Sequence, residues 1–348
     1  MSNSATNNQA TTHCVRCRLK CIAIFRPPVQ QFTRADRRTE SYNARQTPHF
    51  LVSQPLQFKF PNLRLPSPMA TDLQVHLLPS LVSDEQLRGG VAVVIDVLRA
   101  STTIVQALAS RAACVIPVST VAQAHVAAAE IAEITLTPTT TEVPADKRAK
   151  AGILLGGERG GVLIPGFDLD NSPLKYSAGT VAGKTVIFTT TNGTQALLKC
   201  HLAERVFVGC FSNLHSVISL LANDSRPIHL VCAGTDGFVS TDDALCAGAI
   251  ATGVWAARNW PKWLGDELRM VMDFFTCRCQ PMREVINTLR ESQGGRNLIS
   301  LGLDADIERA ARWDLFRIVP EFDVASRRLH PAIDVPADPK QILMAPRE

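Results

Sequence analysis

The sequence predicts an α/β protein with a three-layer α/β/α fold around a mostly parallel sheet. Its apolar, β-branched runs, such as "VAVVI", do not alternate with polar residues, which is typical of strands covered on both faces. From about residue 90 these runs alternate with helix-like stretches. Such alternation favours parallel strands with helices on both faces of the sheet.

The first elements form a unit of strand, polar loop, helix, strand and capped helix. The strand-like "VAVVID" is followed by "TTIVQALASR", by the strand-like "ACVIPV" and by the helix-like "VAQAHVAAAEIAEI". Ser119 or Thr120 precedes the second helix and is the expected N-cap, because a hydroxyl there can accept a free amide of the first turn.

A second unit repeats this order, with "TVIFTT", "TNGTQALLKCHLAE", "RVFVGCF" and "LHSVISLLAN", the last capped by Ser212 or Asn213. The segments 93–120 and 186–213 are both 28 residues long and align without a gap at an offset of 93. A shared period of this kind predicts an internal duplication, although few residues are identical. A third strand, "IHLVCAG", then leads through "TDGFVSTDD" into the helix "ALCAGAIATGVWAA".

Composition excludes several classes of function. The chain has 348 residues and a formal net charge of +4, but the first 68 residues hold ten of the 36 basic side chains and only two acidic ones, Asp36 and Glu40. The remainder is mildly acidic, which argues against a nucleic-acid partner. Apolar runs are too short for a membrane span. The ten scattered cysteines suggest reduced thiols and a cytoplasmic protein.

The composition divides the chain into three segments. Residues 1–68 lack sustained periodicity, and we expect a disordered leader or upstream sequence read in frame before a start at Met69. Residues 69–335 form the expected globular domain, and residues 336–348 a tail. Within the leader, "HCVRCRLKC" lacks the second Cys/His pair of a zinc finger.

Four polar loops carry residues suited to binding an anion and a cation. They contain Asp96, Arg99, Ser101 and Thr102 in "DVLRAST"; Glu158 and Arg159 in "GGERGG"; Thr189, Thr190, Thr191, Asn192, Gly193 and Thr194 in "TTTNGT"; and Asp242 and Asp243 in "STDDAL". Carboxylates suit a hard cation, arginines suit planar oxyanions, and amides beside a glycine suit an anion. Because three loops follow strand-like runs, we expect them to line one crevice.

Each loop also has a purely structural interpretation. The Ser, Thr and Asp residues before helices could be N-caps, Asp96 and Arg99 could form a local salt bridge, and "GGERGG" could be a tight turn. A phosphate-binding P-loop is excluded at "GTVAGKT", because the motif is one residue short and Lys184 leads into a strand.

Six motifs follow one another along the chain: "VVIDVLRASTTIVQAL", "LLGGERGGVLIPGFDLDNSPLKY", "TVIFTTTNGTQAL", "VGCFSN", "DDALCAGAI" and "GRNLISLGLDADIERAA". In these motifs and their order, the chain resembles the 2-phosphosulfolactate phosphatase family, often called ComB. The resemblance covers residues 73–320. It implies a magnesium-dependent phosphatase that converts 2-phospho-3-sulfolactate into sulfolactate and phosphate, on the pathway to coenzyme M. It also implies a three-layer α/β fold.

With this resemblance, the polar residues receive expected roles. Mg²⁺ is expected among Asp96, Glu158 and Asp243. Arg99 and Arg159 are expected on substrate oxygens, and Asp242 on the attacking water. The residues expected to bind the small anionic substrate are Ser101, Thr102, Asn171, Ser172, Thr190, Thr191, Asn192, Gly193 and Thr194.

Two residues depart from the family pattern. Asp170 stands before "NSP", where a glycine is typical, and Asp242 stands where a glutamate is frequent. A non-catalytic binding protein for a phosphorylated metabolite, or a hydrolase or lyase of another small anion, would use the same loops. The sequence leaves these alternatives and a homo-oligomeric state open.

Overall fold

The computed structural model describes residues 73–137, 141–258, 264–278 and 283–332. The predicted leader, residues 1–68, and the predicted tail, residues 336–348, lie outside these ranges. The strands are β1 Leu73–His76, β2 Val91–Ile95, β3 Cys114–Pro117, β4 Ile153–Arg159, β5 Val162–Leu163, β6 Thr185–Thr189, β7 Arg205–Gly209, β8 Ile228–Cys232, β9 Pro320–Asp323 and β10 Arg328–Pro331.

The helices are α1 Asp84–Leu87, α2 Ala100–Ala109, α3 Val121–Ala132, α4 Ala145–Lys150, α5 Ala178–Val181, α6 Gly193–Lys199, α7 Leu214–Ala222, α8 Thr241–Arg258, α9 Asp266–Arg278, α10 Arg283–Glu291, α11 Gln293–Ser300 and α12 Asp304–Ala310. Short 3₁₀ turns occur at Pro79–Leu81, Pro173–Lys175 and Phe211–Asn213. Across the described ranges, none of these helices is both long and apolar enough to span a membrane.

The strands form one ten-stranded sheet in the order β1-β8-β2-β7-β9-β10-β3-β6-β4-β5. The first half, β1-β8-β2-β7, is parallel throughout, and so is β3-β6-β4 in the second half. The hairpin β9–β10 joins the halves through antiparallel pairings with β7 and β3. A mostly parallel sheet with helices on both faces confirms the predicted fold class.

Helices α2 and α6 pack between the two halves of the sheet. Helix α2 contacts β7 and β3, and α6 contacts β2 and β3. One buried cluster accordingly combines Ala92 and Val94 of β2 with Val186 and Phe188 of β6 and with Ile104 of α2. The opposite face of the first half packs on α7, α8 and α9, and that of the second half on α3. Each half of the sheet therefore has helices on both faces, and the two halves share α2 and α6.

The carboxyl ends of β2, β4 and β6 lie close together although the two halves of the sheet run in opposite directions. Neighbouring strands twist by about 20 to 25°, so six steps from β2 to β4 accumulate roughly 120 to 150°. This rotation offsets most of the reversal in strand direction. The loops after all three strands therefore open into one crevice.

The two predicted units have the same order of elements. β2, α2, β3 and α3 in the first unit correspond to β6, α6, β7 and α7 in the second, and the pairing is reciprocal, since β2 pairs with β7 and β3 with β6. Duplication itself stays a prediction. Thr120 is the N-cap of α3 and accepts the Gln123 amide, as expected. Asn213 precedes α7, but its side chain makes no cap bond.

Candidate active site

A cavity of about 290 Å³ lies at the convergent strand ends. Its walls come from the loops after β2, β4 and β6, from the loop after β8 and from helix α11. The predicted site residues that line it are Asp96, Arg99, Glu158, Asn171, Thr190, Thr191 and Asn192. A second depression of about 490 Å³ shares Thr235 and Asp236 with it, but none of the predicted site residues lines this second space.

Asp96 is the first residue after β2, and its carboxylate faces the start of α6. Its Oδ1 accepts the Ala100 amide at 3.2 Å. Its Oδ2 lies so close to Gly193 that a Cβ there would be 2.5 Å from the oxygen. Gly193 therefore allows the two loops to meet, because a side chain at this position would displace Asp96.

Arg99 forms a buried ion pair that the sequence did not suggest. Its Nη1 donates to Asp306 Oδ2 at 2.7 Å, and both side chains are 2% exposed. Its Nη2 donates to the Gly161 carbonyl at 2.8 Å. The alternative that Arg99 pairs locally with Asp96 is therefore wrong, since the partner is a residue of helix α12.

Glu158, in β4, is held by two backbone amides. Oε1 accepts the Thr191 amide at 2.8 Å, and Oε2 accepts the Gly161 amide at 2.7 Å. The "GGERGG" segment is thus the end of β4 and the turn into β5, with Gly160 and Gly161 at positive φ of 60° and 82°. These contacts fix the carboxylate on the cavity wall beside the "TTTNGT" loop.

Burial and mutual repulsion raise the pKa values of three carboxyl groups at this site. Burial, followed by repulsion from Asp242, raises the pKa of Asp96 to about 7. Burial also raises the pKa of Asp242, and burial with repulsion from Asp242 and Asp96 raises that of Asp243. Because Arg99 already pairs with Asp306, the repulsion between these carboxylates is only partly offset by the arginine of the cavity wall.

Comparison with known proteins assigns the sequence to one family. Residues 76–324 fit the family model described as 2-phosphosulpholactate phosphatase. The chain belongs to that family. A probable 2-phosphosulfolactate phosphatase of Deinococcus radiodurans is 38% identical over 267 residues, covering 76% of this chain and 96% of the relative. Those of Pseudothermotoga lettingae and Thermotoga maritima are 37% and 39% identical, covering 72% and 66% of this chain and 95% and 87% of the relatives.

In this member of the 2-phosphosulpholactate phosphatase family, Asp242 and Asp243 lie beneath the cavity rather than on its wall. Both Asp243 oxygens accept backbone amides, from Val97 at 2.8 Å and Gly234 at 2.9 Å. Asp242 accepts the Ser240 hydroxyl. The structure therefore gives Asp243 a contact that holds the loops after β2 and β8, at the start of helix α8.

Several other predicted residues have backbone partners instead of a cavity-facing position. Ser101 accepts the Asp96 amide, Thr102 donates to the Val97 carbonyl, and Thr194 accepts the Thr190 amide. Arg159 donates to the Glu158 and Ser119 carbonyls and to Thr189 Oγ1. Ser172 donates to Asp306. None of these five lines the cavity, so their predicted substrate contacts stay predictions without a direct geometric basis.

Sequence reasoning missed one wall of the cavity. Helix α11 and the turn after it supply Gly294, Asn297, Leu298, Ser300 and Leu301, and the loop after β8 supplies Thr235 and Asp236. A signal was present, because the motif "GRNLISLGLDADIERAA" spans most of this wall and also Asp306. It carries few charged residues of obvious chemistry before Asp304, which is why no site was assigned to it.

The unusual Asp170 is neutralised locally. Its Oδ2 pairs with Lys175 Nζ at 2.6 Å, and its Oδ1 accepts the Ser172 amide at 2.9 Å. Asp170 therefore holds the "NSP" segment and brings little net charge to the cavity mouth.

The oxygen donors fit a hard cation such as Mg²⁺. In the described part of the chain, no group of three or more His, Cys, Asp or Glu side chains is arranged to hold a metal ion. Mg²⁺, however, is commonly bound by one or two carboxylates together with substrate phosphate and water. Asp96 and Glu158 on the cavity wall meet that requirement, and the uncompensated negative charge favours a cation there.

Proposed function

We propose that this protein is a phosphatase that hydrolyses 2-phospho-3-sulfolactate, or a closely related small phosphorylated hydroxy acid, to the hydroxy acid and phosphate. The observation that carries the proposal is the cavity itself. In it, the carboxylates of Asp96 and Glu158 face Arg99 and the polar segment Thr190 to Asn192. Family membership adds the reaction class.

The donors around this cavity suit a phosphomonoester. Phosphoryl transfer needs charge neutralisation on the phosphoryl oxygens and a positioned water more than it needs covalent chemistry. The Arg99 guanidinium, fixed by Asp306 and the Gly161 carbonyl, supplies N–H donors, and Thr190, Thr191, Asn192 and Asn171 supply neutral polar groups. A small substrate with several anionic groups matches a cavity of about 290 Å³ lined by these donors.

Asp96 is the candidate for proton transfer. In hydrolysis, water adds to phosphorus, the bond from phosphorus to the ester oxygen breaks, and the leaving oxygen gains a proton. A group whose pKa is near the working pH serves best in such a transfer, and the pKa of Asp96 is raised to about 7. We expected Asp242 to orient the attacking water, but Asp96 lines the cavity and Asp242 does not.

Mg²⁺ is proposed as the cofactor; Glu158 would hold it directly and Asp96 through a water, which leaves the Asp96 carboxyl group free to exchange a proton. When bound, the cation would neutralise charge on the phosphoryl oxygens. Asp243 supports this site by holding the loops after β2 and β8. Glu158, fixed by two amides, keeps its position whether or not substrate is present.

A cytoplasmic location is part of the proposal. Six cysteines of the described ranges are free thiols, which is typical of a reducing compartment. A role in coenzyme M formation stays a prediction of the family resemblance.

Phosphate release from a panel of phosphomonoesters tests the function. The panel contains 2-phospho-3-sulfolactate, 2-phospholactate and p-nitrophenyl phosphate, each assayed with Mg²⁺ and with EDTA. We expect Mg²⁺-dependent release that is fastest for 2-phospho-3-sulfolactate, and Asp96→Asn controls for contaminating phosphatases. Tight binding of the esters without phosphate release would instead support a non-catalytic binding protein.

A further inference from the structure

We propose that Asp306 is a positioning residue for Arg99, which it holds on the cavity wall and keeps from pairing with the cavity's own carboxylates. The inference rests on the proposed phosphatase function, because it assigns Arg99 to the substrate's anionic groups. Asp306 is 210 residues from Asp96 in the sequence and belongs to helix α12, outside the four polar loops.

The contacts of Arg99 define one orientation of its guanidinium. Nη1 donates to Asp306 Oδ2 at 2.7 Å, and Nη2 donates to the Gly161 carbonyl at 2.8 Å. Two acceptors on different segments fix a planar fork more firmly than a single partner would. Arg99 still lines the cavity, so these contacts hold it at the wall.

Asp306 is itself held in place. Its second oxygen, Oδ1, accepts the Ser172 hydroxyl at 2.6 Å. Both carboxylate oxygens are therefore engaged, and the side chain is 2% exposed. The cluster of Ser172, Asp306 and Arg99 connects the "NSP" segment, helix α12 and the loop after β2.

Without Asp306, Arg99 could form an ion pair with another carboxylate. Asp96 and Glu158 line the same cavity, and among the described residues that line it Arg99 is the one Lys or Arg side chain. A buried arginine that loses its partner gains most by pairing with the nearest carboxylate, since an unpaired buried charge is costly. Such a shift would remove the positive charge from its place and cover the oxygens of Asp96 or Glu158.

A double-mutant cycle tests this role. It compares the wild type, Asp306→Asn, Arg99→Gln and the double variant, in which two neutral amides replace the buried ion pair so that no charge is left unpaired. A misplacement of about 1 Å in a positioning group costs about 100-fold. We therefore expect Asp306→Asn to lower kcat/KM by about 10- to 100-fold, mainly through KM. In the Arg99→Gln background the same change should have no further effect.

Glu308→Gln is the matched control. Glu308 lies two residues further along the same helix and forms an exposed pair with Arg290, so its loss removes one negative charge without touching the cavity. Wild-type kinetics are expected for it. The proposal is overturned if Asp306→Asn keeps wild-type kcat/KM, or if it causes an equal loss with and without Arg99.

Binding of inorganic phosphate separates this inference from the proposed function. If the wild type hydrolyses no phosphomonoester, the function fails, and the cycle is then measured on the phosphate dissociation constant by calorimetry. Weaker binding in Asp306→Asn that disappears in the Arg99→Gln background supports the positioning role. Equal weakening in both backgrounds means a merely structural role and overturns it.

Discussion

The two loops that begin the central helices have the same construction but opposite electrostatics. We call residues 96–99, between β2 and α2, the charged loop, and residues 190–192, between β6 and α6, the neutral loop. In the charged loop Asp96 Oδ1 accepts an amide four residues later, and in the neutral loop Thr190 Oγ1 does the same, at 3.2 Å in both cases. Ser101 and Thr194, which match at the offset of 93, both accept an amide of the preceding loop.

The neutral loop therefore shows that this turn can be built from hydroxyl groups alone. Burying ionised groups is expensive, whereas buried hydroxyls need only a hydrogen-bond partner. Asp96 and Arg99 are nevertheless buried in the charged loop, at 7% and 3% exposure. Since the turn does not require them, their cost in stability agrees with the catalytic role that we propose for them.

The largest expected effect comes from removing the charge of the charged loop. Asp96→Asn keeps the shape of the side chain but cannot exchange the proton, so kcat should fall by about 10²- to 10⁴-fold. Thr189→Val at the matching position in β6 should change kcat by less than about threefold, because Thr189 contacts Arg159 and does not line the cavity. Steady-state kinetics of both variants measure the contrast, and similar losses in the two would mean that the loops have equivalent roles.

The next effect concerns the arginine of the charged loop. Arg99→Lys keeps the charge but cannot reach both Asp306 and the Gly161 carbonyl, so we expect kcat/KM to fall by about 30- to 1,000-fold. Arg99→Ala should also lower the free energy of unfolding by about 3 to 5 kcal/mol, because it leaves Asp306 buried and unpaired. Asn192→Ala, at the position of the neutral loop that matches Arg99, should lower kcat/KM by less than about tenfold. Full activity in Arg99→Lys would show that Arg99 does not bind the substrate's anionic groups.

Stability in EDTA should depend on pH through the charged side of the site. The pKa of Asp96 is higher in the folded state, so the folded protein binds more protons than the unfolded one, and stability falls as pH rises from about 4 to above 7. Mg²⁺ should raise the melting temperature more at pH 8 than at pH 5. At pH 8 and about 100 times its Kd, the expected rise is about 5 to 10 °C. Glu158→Gln should remove most of that rise. Equal Mg²⁺ effects at both pH values would contradict a carboxylate site.

The smallest effect should be shared by the two loops. Ser101→Ala and Thr194→Val each remove a buried hydroxyl that binds backbone, so urea denaturation should show a loss of about 1 to 2 kcal/mol in both. Activity should fall by less than about tenfold. A much larger loss of activity in either variant would indicate that this hydroxyl contacts the substrate, as the sequence predicts.

Local sequence patterns were sufficient for the elements that repeat. The β-branched runs of β2 and β6 and the cap at Thr120 are set by residues within a few positions of each other, and the structure contains them as predicted. Asp96 and Glu158 could be found for a similar reason, because charged residues at the end of a buried strand are conspicuous. Family membership confirmed the reaction class that these patterns suggested.

Long-range pairing explains what the sequence did not reveal. β9 reads "PEFD", with a proline and two acids in four residues, and nothing in it indicates a place in the middle of the sheet. The partner of Arg99 is 207 residues away, and both Asp243 oxygens are occupied by amides of other loops. These contacts follow from the assembled fold, so a pattern read over a short window cannot find them.

The position of the β9–β10 hairpin also has a consequence for how the chain folds. Residues 320–331 lie between β7 and β3, yet they are the last part of the sheet to leave the ribosome. Until then β7 and β3 each lack the hairpin strand that pairs with them in the folded sheet. Contacts between such distant segments slow folding, and exposed edges invite pairing with other chains. The active site thus depends on a late step of biosynthesis, during which the incomplete protein is most prone to aggregate.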